Sequence, residues 1–378
     1  VGAGWERPEW YEANAPLVPE AAPWLERDPW AARFWSPIEG AEHLATRAAA
    51  ALFDLTAFAK FDVQGPDALA FLERVFANRI DRPIGSIVYT PALTRSGGVR
   101  LDLTITRKDD ELFRVVTGGG SGQHDVAWLR RQLGDGERVT IIERTGSLFA
   151  LGLWGPNARE ILQASTAEDV SNDAFPYMTA RYLNVGEVGP VWAQRISYAG
   201  ELGWELYGQF AMGDRVWDLL WDAGREHGLV AAGLGCFDTL RLEKGYRFWG
   251  QDIDMERDPY SAGLGFAVRM DKGEFSGRDA LAAALERGPT ERLCCITLDD
   301  PSRVVLGKEP IRADEAVVGY VTSAGYGYAV GRCIAYGYLP VELAVPGTAV
   351  EIEYFDERFP ATVAEDPLWD PKGERLRA

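Results

Sequence analysis

The chain has 378 residues, 47% of them hydrophobic and 25% charged, which excludes a disordered or fibrous protein and leaves room for two or three domains. Lys and Arg number 39 against 57 Asp and Glu, a net charge of −18, and a field of that sign repels nucleic-acid phosphates and anionic membrane surfaces. No apolar run approaches the roughly 20 residues that cross a bilayer, and neither the four cysteines (Cys236, Cys294, Cys295, Cys333) nor the three histidines show metal-ligand spacing, so free thiols in a reducing cytoplasm and no metal site are expected.

Residues 1–36 alternate prolines with Trp5, Trp10, Trp24, Trp30 and Trp35, which predicts an irregular arm laid along the globular body. Helical composition follows over 39–53, a short strand over 60–65, and a helix over 67–80 whose Leu69, Leu72, Val75 and Phe76 share one face. SIVYTPALT, the turn at Gly97–Gly98 and LDLTITRK read as strand, tight turn, strand. Residues 125–133 read as a helix, 138–145 and 148–155 as strands, and 157–165 as a helix. Residues 191–208 read as two hairpin strands around a glycine-bearing turn, and 213–228 and 235–245 as helices closed by glycine. Beyond about residue 287, short β-like runs separated by glycine and proline form the pattern of a small barrel. The expected division is therefore an arm over 1–36, an α+β region of two intertwined subdomains over 37–287, and a barrel over 288–378.

Asp102 sits in an apolar strand and faces away from Leu101 and Leu103. Two readings stand side by side: a hydrogen-bonded structural acid, or a carboxylate that binds a ligand and handles a proton. Glu201 and Glu205, among Tyr198, Trp204 and Tyr207, could share a strand face and hold a flat heterocycle, or be edge charges of a hairpin. Asp238 and Arg241 are spaced as a surface ion pair on one helix. GGGSG at 118–122 lacks the lysine of a phosphate loop, and no dinucleotide fingerprint, GxSxG or HExxH is present.

Seven blocks taken together carry a resemblance. They are LFDLTAFAKFDVQGPDALAFLERVFAN (52–78), YTPALTRSGGVRLDLTITR (89–107), HDVAWLRRQL (124–133), ISYAGELGWELY (196–207), LRLEKGYRFWGQDID (240–254), GEFSGRDAL (273–281) and GYVTSAGYGYAVGRCIAYGYLP (319–340). In this order they resemble the folate-binding aminomethyltransferase superfamily, that of the glycine cleavage T-protein, and above all the C-terminal tetrahydrofolate-binding region of dimethylglycine and sarcosine dehydrogenases and oxidases. The likeness runs from GWERPEWY (4–11) to DPLWDPKGERLR (366–377).

The resemblance implies an α+β, three-domain cloverleaf with a small C-terminal β-barrel, closed around tetrahydrofolate. Asp102, at the end of a GGxxxD pattern, would be the catalytic acid beside the reactive folate nitrogens. Glu205 would hold the pterin edge, with Tyr89, Val116, Tyr198 and Trp369 lining the pocket. Phe237 stands where the T-protein carries arginine, which weakens a lipoyl-bound aminomethyl group as the substrate. The activity implied is capture of formaldehyde, or of an iminium methylene from N-demethylation, as 5,10-methylenetetrahydrofolate. A flavin-bearing or other demethylating domain or subunit would supply the carbon, with no nucleic-acid or membrane partner. Two other readings are a stand-alone O- or S-demethylase giving 5-methyltetrahydrofolate and a non-catalytic folate-binding scaffold.

Overall fold

The computed structural model describes residues 4–378; Val1, Gly2 and Ala3, where the expected arm starts, lie outside them. The arm carries a 3-10 turn at Glu12–Leu17. It is followed by α1 (Pro37–Ala48), β1 (Ala50–Asp54), β2 (Ala59–Gln64), α2 (Ala68–Val75), β3 (Ile87–Leu93), β4 (Val99–Asp109), β5 (Leu112–Thr117), α3 (Gly122–Arg130), β6 (Thr140–Glu143) and β7 (Leu148–Trp154). Then come α4 (Ala158–Ser165), β8 (Ala180–Asn184), β9 (Pro190–Gln194), β10 (Gly203–Gln209), α5 (Gly213–Gly224), β11 (Leu229–Ala231), α6 (Leu234–Glu243) and α7 (Arg278–Arg287). The last part holds β12 (Glu291–Leu298), β13 (Pro310–Ala313), β14 (Ala316–Gly327), β15 (Arg332–Pro340), β16 (Ala349–Tyr354), β17 (Glu357–Ala364) and the short α8 (Glu374–Arg377).

The expected helix over 39–53 divides. It ends at Ala48, and Ala50–Asp54 becomes a strand paired with both β7 and β11. An alanine run is a good helix former, but here the tertiary pairing on both edges overrides propensity. The helix expected over 67–80 stops at Val75, because Phe76 is extended and bridges to Ala92.

Alternation along the strands sets the rest. One sheet has the order β3-β4-β5-β2-β6 and a second the order β11-β1-β7-β10-β9-β8. On the first sheet Phe61, Val63, Leu101, Leu103, Ile105, Phe113 and Val115 turn outward into a core with Phe71, Leu72 and Val75 of α2 and Val126 and Leu129 of α3. On the second, Leu52, Leu151, Leu153, Trp204 and Leu206 pack with Ile161 and Leu162 of α4 and Val216 and Leu220 of α5. Because side chains alternate with period two, the residues between these face the opposite side of each sheet. Those inner faces meet: Val116 of the first packs with Ala51, Phe53, Ala150, Trp154, Trp192 and Tyr207 of the second.

The third unit is a closed barrel, β12-β15-β14-β13-β16-β17. The arm spans the units. Trp24 packs edge-on against Tyr328 of the barrel segment, and Asn14 and the Tyr11 amide bond Glu42 on α1. At the other joint, Asp252 gathers four donors: the hydroxyls of Thr322 and Ser323 on β14 (2.6 Å each), the Arg241 guanidinium (2.9 Å) and the Phe248 amide (3.0 Å). Arg241 is thus a buried residue tying α6 to the barrel, not the partner of a surface pair; its bond to Asp238 is the exposed end of that link. Removing one partner of a buried ion pair strands the other charge, which costs about 3–5 kcal/mol. Asp252→Ala is therefore expected to lower the free energy of urea unfolding by about that amount, and a loss below about 1 kcal/mol would show that the joint does not need the charge.

Candidate functional site

The site is the space between the two inner faces. On β4, Asp102, Thr104 and Thr106 share the inner side, and cross-strand pairing puts Tyr89 and Val116 in the same row as Thr104. The Gly97–Gly98 turn lets β4 begin there: a Cβ on Gly98 would lie 1.8 Å from the Met255 carbonyl oxygen, so only glycine allows that approach. The Tyr89 hydroxyl donates to Asp102 Oδ2 at 2.9 Å. Burial pushes the Asp102 carboxyl up to about 6; the Tyr89 bond opposes this, and the neighbouring Asp125 carboxylate adds to it. Asp102 nevertheless keeps some accessible surface.

Facing it, β10 presents Glu205 and Tyr207. Glu205 lies opposite Gly152 on β7 and Gln194 on β9. It is 6% exposed, its Oε2 accepts the Tyr207 hydroxyl at 2.5 Å, and burial pushes its carboxyl up to about 7 against that bond. Gln194 is fully buried; its Oε1 takes the Thr106 hydroxyl from the other sheet at 2.8 Å, and its Nε2 has no partner. A buried donor without an acceptor is costly, so the amide is a group in want of a polar neighbour.

Aromatic rings wall the space. Trp154, Phe237, Tyr198 and Tyr246 form a column with successive centroids 5.8, 5.1 and 5.5 Å apart and planes within 30°. Phe237 sits inside this column, so the position where the resembled T-protein has arginine is here an apolar ring. The Tyr198 hydroxyl is anchored on the Arg247 carbonyl at 2.8 Å. Tyr89 stacks against Phe266.

The structure therefore brings Asp102, Tyr89, Val116, Tyr198 and Glu205 to one space. Trp369 is hydrogen-bonded to Glu201 and to none of these residues. The Trp369 indole donates to Glu201 Oε1 at 2.9 Å and lies between the Arg47 and Arg375 guanidinium groups. Glu201 does not continue the strand face of Glu205, because β10 starts only at Gly203 and Glu201 lies in the bend before it. Instead Glu201 is buried and pairs with Arg47 (2.8 Å) and Arg375 (2.7 Å). Arg47 also bonds Glu243, which His43 holds from the other side; with these partners Glu243 stays ionised, its carboxyl drawn down to about 2 although burial opposes that. This network fastens α1, α6 and residues 366–377 together. Gln194 and Asp125 were not legible as site residues, since neither carries a local motif.

With the geometry described, comparison with known proteins gives the family. The GCVT N-terminal domain matches residues 1–272, and the glycine cleavage T-protein C-terminal barrel domain matches residues 291–370. The chain belongs to the glycine cleavage T-protein family. It is 38% identical to 4-methylaminobutanoate oxidase (formaldehyde-forming) of Paenarthrobacter nicotinovorans, over 99% of this chain and 44% of that protein. It is 35% identical to the mitochondrial dimethylglycine dehydrogenase of Homo sapiens, over 99% of this chain and 43% of that protein. An aminomethyltransferase of Symbiobacterium thermophilum is 35% identical over 87% of this chain and 88% of its own length. The chain thus spans less than half of the first two relatives. The crystal structure of glycine cleavage system aminomethyltransferase T from Bartonella henselae superposes with a TM-score of 0.82 at 25% identity, covering 97% of this chain and 93% of that one.

An acid whose proton affinity rises on folding stays protonated in the fold while it ionises in the unfolded chain. Its burial therefore costs stability as pH climbs from about 4.5 to about 7, the range over which Glu205 is shifted. Glu205→Gln keeps an acceptor for Tyr207 and removes that cost. Its melting temperature is expected to exceed the wild type's by a few degrees at pH 8 and to equal it at pH 4; equal melting at both pH values would contradict the buried-acid account.

Proposed function

We propose that this chain binds tetrahydrofolate between its two inner faces and loads a one-carbon unit, as formaldehyde or an iminium methylene from N-demethylation, to give 5,10-methylenetetrahydrofolate. The observation that supports this best is that two carboxyls raised by burial, Asp102 and Glu205, lie on the two inner faces that meet at a cluster of aromatic rings. The residues fit a folate ring on chemical grounds. A flat heterocycle with amino and ring N–H groups calls for a carboxylate in an apolar slot, which Glu205 offers. A ring carbonyl calls for a buried donor, which the unpartnered Nε2 of Gln194 offers. Stacked rings call for aromatic walls, which Tyr198 and Phe237 offer.

Folate, when bound, supplies the nucleophilic amine that takes up the carbon. The work of the protein is to place, dry and deprotonate. Glu205 fixes the plane of the ligand, and its ionisation near neutrality is favoured once the N–H donors of a ligand approach it. Asp102 holds a proton at Oδ1, the oxygen the Tyr89 hydroxyl leaves free, and a carboxyl that titrates near pH 6 is mostly ionised at neutral pH yet a better base than an ordinary aspartate. Much of the acceleration comes from holding two reactants together, where effective molarities of about 10⁵ M or more are reached.

The carbon donor comes from a demethylating partner, flavin-bearing or other, covalently joined or separate. The names of the relatives support this: one is a formaldehyde-forming oxidase and another a dimethylglycine dehydrogenase, each more than twice as long as the region matched.

Anaerobic calorimetry with tetrahydrofolate, followed by addition of formaldehyde and product analysis, tests the reading. Wild type is expected to bind and to form the 5,10-methylene product. Glu205→Ala is expected to lose binding, and Asp102→Asn to bind but react about 10²–10⁴-fold more slowly, the usual contribution of a general acid–base. The wild-type rate should rise with pH through about 6, as Asp102 loses its proton. No binding to folded wild type would sink the proposal, and a 5-methyl product from a methyl donor would replace it with the demethylase reading.

A further inference from the structure

Behind Asp102 lies a second carboxylate that the mechanism above does not use. Asp125, in the first turn of α3, is 2% exposed. Its Oδ2 accepts two hydroxyls, Ser121 Oγ at 2.7 Å and Thr117 Oγ1 at 3.1 Å. The same Thr117 hydroxyl lies 3.4 Å from the backbone carbonyl oxygen of Asp102, so Thr117 connects Asp125 to the β4 backbone at Asp102. Asp125 Oδ1 is buried without any hydrogen bond. An orphaned oxygen on a buried carboxylate is a real cost, and a helix start needing only an acid for its dipole would place that acid in solvent.

We infer that Asp125 is a positioning residue for the one-carbon step: Ser121 and Thr117 fix its carboxylate, and Thr117 links it to the β4 backbone at Asp102, so that Asp125 acts on the reaction through Asp102. The inference rests on the folate reading above. Two like charges at close range make the second ionisation harder, which is how a carboxyl is tuned towards neutrality. The direction agrees with the Asp125 charge acting to raise the Asp102 carboxyl.

The other groups around the two acids do not duplicate this effect. Tyr89 on β3 donates to Asp102 and works against it. Tyr198 contributes a neutral phenol from the 195–202 connection, and Arg247 acts on the Tyr89 phenol. On the far side, Arg100 of β4 bonds the half-exposed His124, whose Nδ1 is 3.5 Å from Asp125 Oδ1. Arg100 has one buried guanidinium nitrogen without a partner and spends another on His124 instead of closing on Asp125. Neither group makes a hydrogen bond to Asp125, although Arg100 and Asp125 attract each other across the gap.

Asp125→Asn is a clean test, because both hydroxyls bond one oxygen and an amide oxygen can keep both. Carboxyl-¹³C-labelled aspartate, with Asp102→Asn to assign the signal, gives the Asp102 titration in the free protein without turnover. The pH profile of kcat with tetrahydrofolate and formaldehyde then gives the acidic limb. The expected result is a fall of about one pH unit in both for Asp125→Asn, the scale of a like charge removed at short range. Thr117→Val, which frees the carboxylate to swing towards His124 and Arg100, is expected to move both the same way by less. An Asp102 midpoint that stays put in folded Asp125→Asn, or in Thr117→Val if the first variant fails to fold, overturns the inference. A midpoint that moves while wild type shows no folate turnover removes the folate reading, and the role of Asp125 in catalysis with it.

Discussion

The molecule depends on two sheets being pressed together by faces that are not fully apolar. Each sheet has one ordinary face, sealed by helices over leucine, isoleucine, valine and aromatic side chains. The opposite faces bury Asp102 and Glu205 among tryptophan, tyrosine and phenylalanine rings. Water must leave for these faces to meet, and the departure of water is what lifts both carboxyls towards neutrality. Fold and chemistry are therefore one constraint. A better-solvated interface would relax the acids, and one without acids would pack more tightly and do nothing.

Such an interface is weak by itself, and the chain compensates around its rim. Asp252 binds α6 to the barrel through four donors. Glu42 receives the Tyr11 amide, the Asn14 side chain and the Gly233 amide, so the arm and the start of α6 meet on one carboxylate. Arg47, Glu201 and Glu243 are buried and, with the part-exposed Arg375, form an ion-pair network of zero net charge. Asp252 is satisfied by neutral donors as well as by a guanidinium, and Glu42 by neutral donors alone.

Much of this was legible in the sequence where the signal was local. The alternation VRLDLTIT after a double glycine announces an acid on the face opposite the core, and Asp102 lies there. GWELY does the same for Glu205. The family likeness added the partners Tyr89, Val116 and Tyr198. The failures came where a residue's role is decided by something distant. Glu201 looks like Glu205, an acid four residues earlier in the same pattern, but it lies before β10 begins and pairs with Arg47 and Arg375. Arg241 looks like a helix-surface pair until the barrel closes over it. Asp125 and Gln194 carry no pattern at all; their meaning appears only when two sheets and a helix are brought together.

The strap at 366–377 bears on how the protein comes into being. Synthesis delivers α1, with Arg47, and the segment with Glu201 long before Trp369 and Arg375, and the barrel lies between them in the chain. A nascent chain therefore has both sheets and their helices available while Glu201 holds one of its two guanidinium partners and none of its indole. Final locking of the site region waits on a dozen residues made after the barrel. The strap that joins Glu201 and Arg47 is thus synthesised after both the two-sheet body and the barrel.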